Sequence, residues 1–273
     1  MKKYKIAIMT AFIGNAGDTG ELKITPEAQA EFDRYGVDVY RFNNDNLDFL
    51  LPHAKSTLSE EQVMHKTRRD KWVYSWYENV KYKQTNRPRK EDDYTRLVAK
   101  IPKMMFYKVV PHNYDYYVWL DSKFTIHEHW LDYLLWLIDR HQEADLIVSK
   151  HSERRSVEEE VKDMLTGLKA GYSSLWTKYY AADLAFQLYK YQQADGFVDD
   201  RLNELGMIVY SSKMLAKSQF AEEWYAHNCF FTIQDQISFP FVSKKHNLKV
   251  ASVSQSVYEV PFLTHEYCNP SRQ

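Results

Sequence analysis

The sequence contains little cysteine and no long apolar run. Only Cys229 and Cys268 are present, without CxxC spacing, which indicates neither a disulfide framework nor a zinc site and favours a reducing compartment. No stretch reaches the roughly 18 uninterrupted apolar residues that a membrane span needs, and the apolar run after Lys5 is too short for a signal peptide. We therefore expect a cytoplasmic protein without a transmembrane segment. Peripheral membrane contact stays open, because the aromatic fraction of 15% suits stacking on sugars, bases or interfacial lipid.

The sequence also lacks an excess of charge of one sign. Its formal net charge is −1, which argues against a polyanionic partner, so we expect no binding to nucleic acid. The hydrophobic fraction of 44% allows a substantial core. Because no internal repeat, linker or low-complexity tract divides the chain, we expect residues 1–273 to form a single domain.

Alternating strand and helix patterns predict an α/β fold. The predicted strands cover segments 5–13, 37–42, 116–120, 144–149, 207–210 and 249–253. The predicted helices cover segments 26–35, 93–110 with a break or kink at Pro102, 131–141, 157–169, 181–193 and 221–227. The polar and aromatic segment 58–86 is compatible with helices or with a mobile lid.

Polar residues follow the carboxyl ends of the predicted strands. Because open α/β sheets bind ligands beyond these ends, we expect the residues after positions 13, 42, 120 and 149 to converge. Asp121 directly follows one strand, where a carboxylate can hold a divalent cation that bridges the diphosphate of a sugar nucleotide. A turn or helix-capping role is the alternative for Asp121. The glycine-rich loop 14–20 matches neither a P-loop nor the GxGxxG fingerprint, so it is a weak phosphate site.

Two further pairs of side chains are candidates for the same site. Arg96 and Lys100 share one helical face by their i, i+4 spacing and could grip phosphates or ribose. Salt bridges to the neighbouring aspartates at positions 92 and 93 are the alternative. His151 and Arg154 follow the strand that ends at position 149 and could line the same crevice, while a structural role for His151 stays open.

Four segments in order resemble the motifs of a known family. Segment 108–123 contains K-V-V-P-H followed by Y-Y-V-W-L-D-S-K, segment 151–160 reads H-S-E-R-R-S-V-E-E-E, and segment 233–242 reads I-Q-D-Q-I-S-F-P-F-V. Thr10-Ala11 and the segment 43–45 lie where the family has turns after its first two strands. The chain thus resembles the TOD1/MUCI70-like hexosyltransferases, a glycosyltransferase-like family first catalogued as a domain of unknown function.

The resemblance implies a GT-A-like, Rossmann-like domain with a central, mostly parallel sheet flanked by helices. It implies transfer of a hexose from a UDP- or GDP-sugar to a glycan or another hydroxyl acceptor. Asp235 and Gln236 would be catalytic: the carboxylate would accept the proton of the attacking hydroxyl or bind a sugar hydroxyl, and the amide would hydrogen-bond the sugar. A helix N-cap is the alternative for Asp235. The expected donor-binding residues are Thr10, Ala11, Asp45, Arg96, Lys100, Asp121, Ser122, Lys123, His151 and Arg154.

The resemblance also implies a divalent cation, Mn²⁺ or Mg²⁺, held against the donor diphosphate by Asp121 and a late histidine, His265. The usual motif of the GT-A fold is Asp-x-Asp, whereas this sequence has Asp121-Ser122-Lys123, and Lys123 could itself supply the positive charge. A non-catalytic protein that binds nucleotide sugars or carbohydrates is a second hypothesis. A metal-assisted hydrolase or nucleotidyltransferase is the least favoured, because the sequence has no histidine pair or carboxylate cluster at metal spacing.

Overall fold

A computed structural model describes residues 4–13, 20–55, 96–172, 175 and 179–265. Its strands are β1 (Ile6–Ala11), β2 (Lys23–Ile24), β3 (Asp38–Phe42), β4 (Tyr116–Leu120), β5 (Phe124–Ile126), β6 (Leu146–Lys150), β7 (Asn203–Ser211), β8 (Val250–Val253) and β9 (Leu263–His265). Its α-helices are α1 (Pro26–Tyr35), α2 (Leu47–Lys55), α3 (Ile101–Met104), α4 (Trp130–Arg140), α5 (Val157–Ala170), α6 (Ala181–Gln192), α7 (Ser218–Phe230) and α8 (Asp235–Lys245).

The central sheet has six strands in the order β3-β1-β4-β7-β6-β8. Five of them run in one direction, and β7 pairs antiparallel with both β4 and β6. A smaller sheet has the order β2-β5-β9. The prediction of an α/β fold with a central, mostly parallel sheet is thus confirmed.

Strand β4 is apolar on both faces because helices cover the sheet on both sides. Tyr117 and Trp119 point into a core cluster that includes side chains of α3 and α7. Val118 and Leu120 alternate with them and point into a second cluster that includes side chains of α1 and α4. A third cluster joins α5, α6 and the start of α8. The central sheet is therefore packed on both faces, and its parallel strands end together at one carboxyl edge.

Two helices begin and end with the signals that their sequences carry. Thr25 caps α1 by accepting the N–H of Ala28, and Gly36 closes this helix with a φ of 82°. Ser156 caps α5 in the same way, and the acidic first turn of this helix suits the positive end of the helix dipole. Among the described helices, none combines the length and apolar character needed to cross a bilayer.

Several predicted boundaries were wrong. The segment 93–110 is not one helix: residues 96–99 are helical, the helix breaks at Lys100, and α3 has Pro102 in its first turn, where the missing N–H is tolerated. The helix predicted at 221–227 extends to Ser218–Phe230, and the strand predicted at 207–210 extends to Asn203–Ser211. Residues 14–19 of the glycine-rich loop and the segment 58–86 lie outside the described residues.

Candidate active site

Asp121 lies directly after β4, at the carboxyl edge of the central sheet. Its backbone N–H donates to the carbonyl of Gly206 on β7 at 2.8 Å, and its Oδ1 accepts the indole N–H of Trp119 at 2.8 Å. A Cβ on Gly206 would lie 3.2 Å from the ring of Phe124, so glycine lets this ring pack close to β7 beside Asp121. The carboxylate is thereby held in one orientation.

One ammonium group joins the two aspartates that the sequence singles out. The Nζ of Lys103 lies 2.5 Å from Oδ2 of Asp235 and 3.7 Å from Oδ1 of Asp121. The Nζ of Lys100 lies 3.1 Å from the same oxygen of Asp235. Although Asp121 and Asp235 are far apart in the sequence, the fold brings them to one site.

Lys103 is fixed in place rather than mobile in solvent. Only 6% of its side chain is exposed. The hydroxyl of Tyr210 on β7 donates to its backbone carbonyl at 2.5 Å, and its Nζ lies 5.6 Å from the ring centroid of Trp119. Lys103 therefore presents its charge to both aspartates without a large loss of side-chain entropy when a ligand binds.

Asp235 is the first residue of α8, and the structure does not show it as the N-cap of this helix, a position that Gln234 occupies. Burial alone would raise the pKa of Asp235, but the ammonium groups of Lys100 and Lys103 outweigh it and hold this pKa well below its usual range. Burial lowers the pKa of Lys100, an effect that Asp235 partly offsets. Asp235 is therefore an ionised hydrogen-bond acceptor and, in this arrangement, a weak proton acceptor.

Lys123 stands on the other side of Asp121. Its Nζ lies 3.5 Å from Oδ2 of Asp121, and it donates to the hydroxyl of Tyr258 at 2.9 Å. His265 on β9 packs against Tyr258, with 4.8 Å between their ring centroids. Burial and the charge of Lys123 lower the pKa of His265, which favours the neutral form of its ring. Ser122, between the two charged residues, is half-buried.

Thr10 and Ala11 are the last two residues of β1, and not a turn after it as the resemblance suggests. The parallel pairing of β1 with β4 places Met9 opposite Trp119, and Ala11 and Asp121 each follow two residues later. The Oγ1 of Thr10 is buried and has no hydrogen-bond partner within the described residues. Asp45 is exposed, in a 3-10 turn that follows the neighbouring strand β3.

His151 and Arg154 belong to a second polar cluster, built around the buried carboxylate of Glu160. The guanidinium of Arg154 contacts this carboxylate, and the amide of Gln234 donates to it at 2.9 Å. Nδ1 of His151 accepts the backbone N–H groups of residues 153 and 154. Burial and the charge of Arg154 lower the pKa of His151. These contacts favour the structural role that the sequence left open for His151.

The second cluster reaches the first through the residues on either side of Asp235. Gln234 donates to the amide oxygen of Gln236 at 2.6 Å, and Gln236 donates to the carbonyl of Asn203 at 3.1 Å. The hydroxyl of Tyr179 donates to Gln234 at 3.0 Å. Gln236 is therefore held by hydrogen bonds at both ends of its amide.

Sequence reasoning missed Lys103, Tyr179, Gly206 and Tyr258 as members of the site. For Lys103 a signal was present, because it follows Arg96 and Lys100 at the i+7 position of the same helical face. Tyr179 lies among the site's charges: burial raises its pKa most, and the charges of Asp235 and Arg96 also act on it. Arg96 itself is half-buried at the start of the described segment.

Among the residues that the structure describes, the side chains around Asp121 do not form the donor set of a divalent cation. Mn²⁺ and Mg²⁺ prefer several oxygen ligands, whereas here ammonium groups approach both carboxylate oxygens. In the described part of the chain, three metal-ligating side chains meet elsewhere, on the surface between α1 and α4, and they are Glu31, His129 and Asp132. The cation expected at Asp121 and His265 therefore stays a prediction that this geometry disfavours.

Comparison with known proteins decides the family. The family model for the TOD1/MUCI70, glycosyltransferase-like domain matches residues 38–262. The chain belongs to this family. The match includes Asp121, Asp235 and all three lysines of the site, and it supports a glycosyltransferase. Among curated proteins, none is significantly similar in sequence.

Several solved structures resemble the fold at a distance. Mouse xyloside xylosyltransferase 1, in its apo form, has a TM-score of 0.41 and 7% identity over 97% of this chain and 98% of its own. The 4-diphosphocytidyl-2C-methyl-D-erythritol synthase of Anaerococcus prevotii has a TM-score of 0.40 and 10% identity over 95% of this chain and 92% of its own. Core-mannan synthase A of Aspergillus fumigatus, in an Mn/GDP form, has a TM-score of 0.36 and 10% identity over 98% of this chain and 79% of its own.

Proposed function

We propose that this member of the family transfers a hexose from a nucleotide-diphosphate sugar to a hydroxyl acceptor, a glycan or another alcohol. The observation that carries the proposal is the contact of the Lys103 ammonium with both Asp121 and Asp235 at the carboxyl edge of the sheet. Open α/β sheets bind their ligands at this edge. The site combines cations for phosphates with carboxylates for sugar hydroxyls, which are the two parts of such a donor.

Transfer forms a bond between the acceptor oxygen and C1 of the sugar and breaks the bond between C1 and the diphosphate oxygen. The nucleoside diphosphate leaves with the bonding electrons, and the acceptor proton passes to a base or to solvent. Lys100, Lys103 and Lys123 surround the two carboxylates and would meet the charge that develops on the leaving group.

Asp235 has two proposed roles, and its environment favours one of them. Two lysines stabilise its ionised form and hold its pKa low, which suits acceptance of a hydrogen bond from a sugar hydroxyl better than removal of a proton. We assign Asp235 to a sugar hydroxyl and the fixed amide of Gln236 to the same sugar. We assign Thr10, Ala11 and Asp45, at the ends of the neighbouring strands, to the nucleoside.

A non-catalytic binding protein is the alternative. The ion pairs of Lys103 with Asp235 and of Lys123 with Asp121 favour this alternative, because they neutralise both carboxylates. The Asp121-Ser122-Lys123 motif also lacks the second aspartate of Asp-x-Asp. Such a protein would bind the nucleotide sugar and release it unchanged.

The test is release of UDP or GDP from a panel of UDP- and GDP-hexoses, with and without sugar acceptors, followed by chromatography. We expect Asp121→Asn and Asp235→Asn to lower turnover about 100-fold or more, as loss of a well-placed polar group in an active site commonly does. Asp33→Asn, on the exposed surface of α1, is the matched control. Unchanged turnover in both site variants would contradict the assignment, and binding without turnover in the wild type would favour the alternative.

A further inference from the structure

Both carboxylate oxygens of Asp121 already have a positively charged neighbour. Its Oδ1 accepts the Trp119 indole N–H and lies 3.7 Å from Nζ of Lys103, while its Oδ2 lies 3.5 Å from Nζ of Lys123. A divalent cation bound to either oxygen would share it with an ammonium group. We propose that these lysines hold the donor diphosphate directly and that the protein binds it without a divalent cation. This inference rests on the proposed function.

The charge of the site is complementary to an anion. Lys100, Lys103 and Lys123 have side chains that are 17%, 6% and 23% exposed, and they face the two carboxylates of Asp121 and Asp235. A further positive charge close to these three ammonium groups would be unfavourable in so poorly solvated a place. The ammonium groups would attract a diphosphate and repel a dication.

The two lysines nearest Asp121 are held in position before any ligand binds. Lys123 donates to the hydroxyl of Tyr258, and its Nζ lies 5.0 Å from the centroid of that ring. The side chain of Lys103 is buried, and its Nζ lies 2.5 Å from Oδ2 of Asp235. A preorganised pair of ammonium groups is a site for two phosphate oxygens, in the place where the usual Asp-x-Asp motif of the GT-A fold would use a metal-bound aspartate.

Titration calorimetry of the full chain with UDP and with GDP tests the inference directly. Each titration is run in EDTA and again with excess MnCl2 or MgCl2. We expect the Kd in EDTA to agree with the Kd in metal within about threefold, a difference of less than 1 kcal/mol. Binding that is tenfold or more tighter with metal would overturn the inference and leave the proposed function intact. No binding of either nucleotide under any condition would contradict the proposed function, and the inference with it.

Substitution at position 123 adds a second, independent result. Lys123→Asp restores the Asp-x-Asp pattern, so we expect it to lose tenfold or more affinity in EDTA and to regain part of it with Mn²⁺. Lys123→Met should lose the same affinity without rescue by metal. Lys162→Met is the control, because Lys162 is 70% exposed on α5 and pairs only with Glu158 among the described residues.

If Lys123→Asp binds UDP or GDP in EDTA as tightly as the wild type does, Lys123 does not bind phosphate. That result would contradict the inference. Thermal unfolding of each variant, measured without nucleotide, separates a lost phosphate contact from a lost fold. If a variant does not fold, the wild-type titrations with and without metal still decide the question, since they need no substitution.

Discussion

Removal of the Lys103 ammonium should destabilise the protein through Asp235. Lys103→Met keeps most of the side-chain volume, so the change reports mainly on charge. Loss of one partner of a buried ion pair costs about 3–5 kcal/mol when the other charge is left alone. Here Lys100 remains 3.1 Å from the same oxygen, so we expect a loss of about 2–3 kcal/mol.

Chemical denaturation at pH 7 measures this loss. Lys162→Met is the matched control, because its solvent-exposed pair with Glu158 should contribute little to stability. Each single variant, Lys100→Met or Lys103→Met, leaves Asp235 one counter-charge, whereas the double variant leaves none. The loss in the double variant should therefore exceed the sum of the single losses by about 1 kcal/mol or more. A Lys103→Met loss no larger than that of the control, or additive single losses, would refute the reasoning.

Three further predictions concern Gly206, Glu160 and Asp235. Gly206→Ala should lower stability by about 1–2 kcal/mol in thermal unfolding, because its Cβ would lie 3.2 Å from the Phe124 ring; an unchanged melting temperature would argue against this packing. Glu160→Gln should cost about 2–4 kcal/mol in denaturant, because it leaves the charge of Arg154 without its buried partner; a loss below 0.5 kcal/mol, the range of a surface change, would contradict that role. The pKa of Asp235 is lower in the folded protein than in the unfolded chain, so its ionised carboxylate stabilises the fold above about pH 4. This contribution is lost as the pH falls towards the lowered pKa. Between about pH 5 and pH 2 the wild type should therefore lose more stability than Asp235→Asn does. Parallel pH profiles of the two proteins would exclude this linkage.

The sequence predicted the parts of the fold that follow from local patterns. The apolar run of β4 ends abruptly in Asp121, and a strand end in an α/β sheet is where a ligand-binding acid is expected. The length and antiparallel direction of β7 were not predictable, because Gly206 interrupts the apolar pattern and strand direction depends on pairing between distant segments.

The partners of the charged side chains in the site could not be predicted from the sequence. Lys103 was not selected, although it lies in the predicted helix that carries Arg96 and Lys100, because only the fold shows that its ammonium group meets Asp235. The sequence grouped Arg154 with the donor-binding residues, whereas its guanidinium contacts Glu160. An arginine suits a phosphate and a carboxylate equally well, so only the three-dimensional neighbours distinguish the two roles.

A crystal structure of the full chain with UDP or GDP bound, grown without divalent metal, tests the central claim most directly. The account predicts a diphosphate within about 2.7–3.2 Å of the ammonium groups of Lys103 and Lys123, next to the carboxylate of Asp121. A nucleotide bound away from both Asp121 and Asp235, or a diphosphate that reaches Asp121 only through an added metal ion, would contradict it.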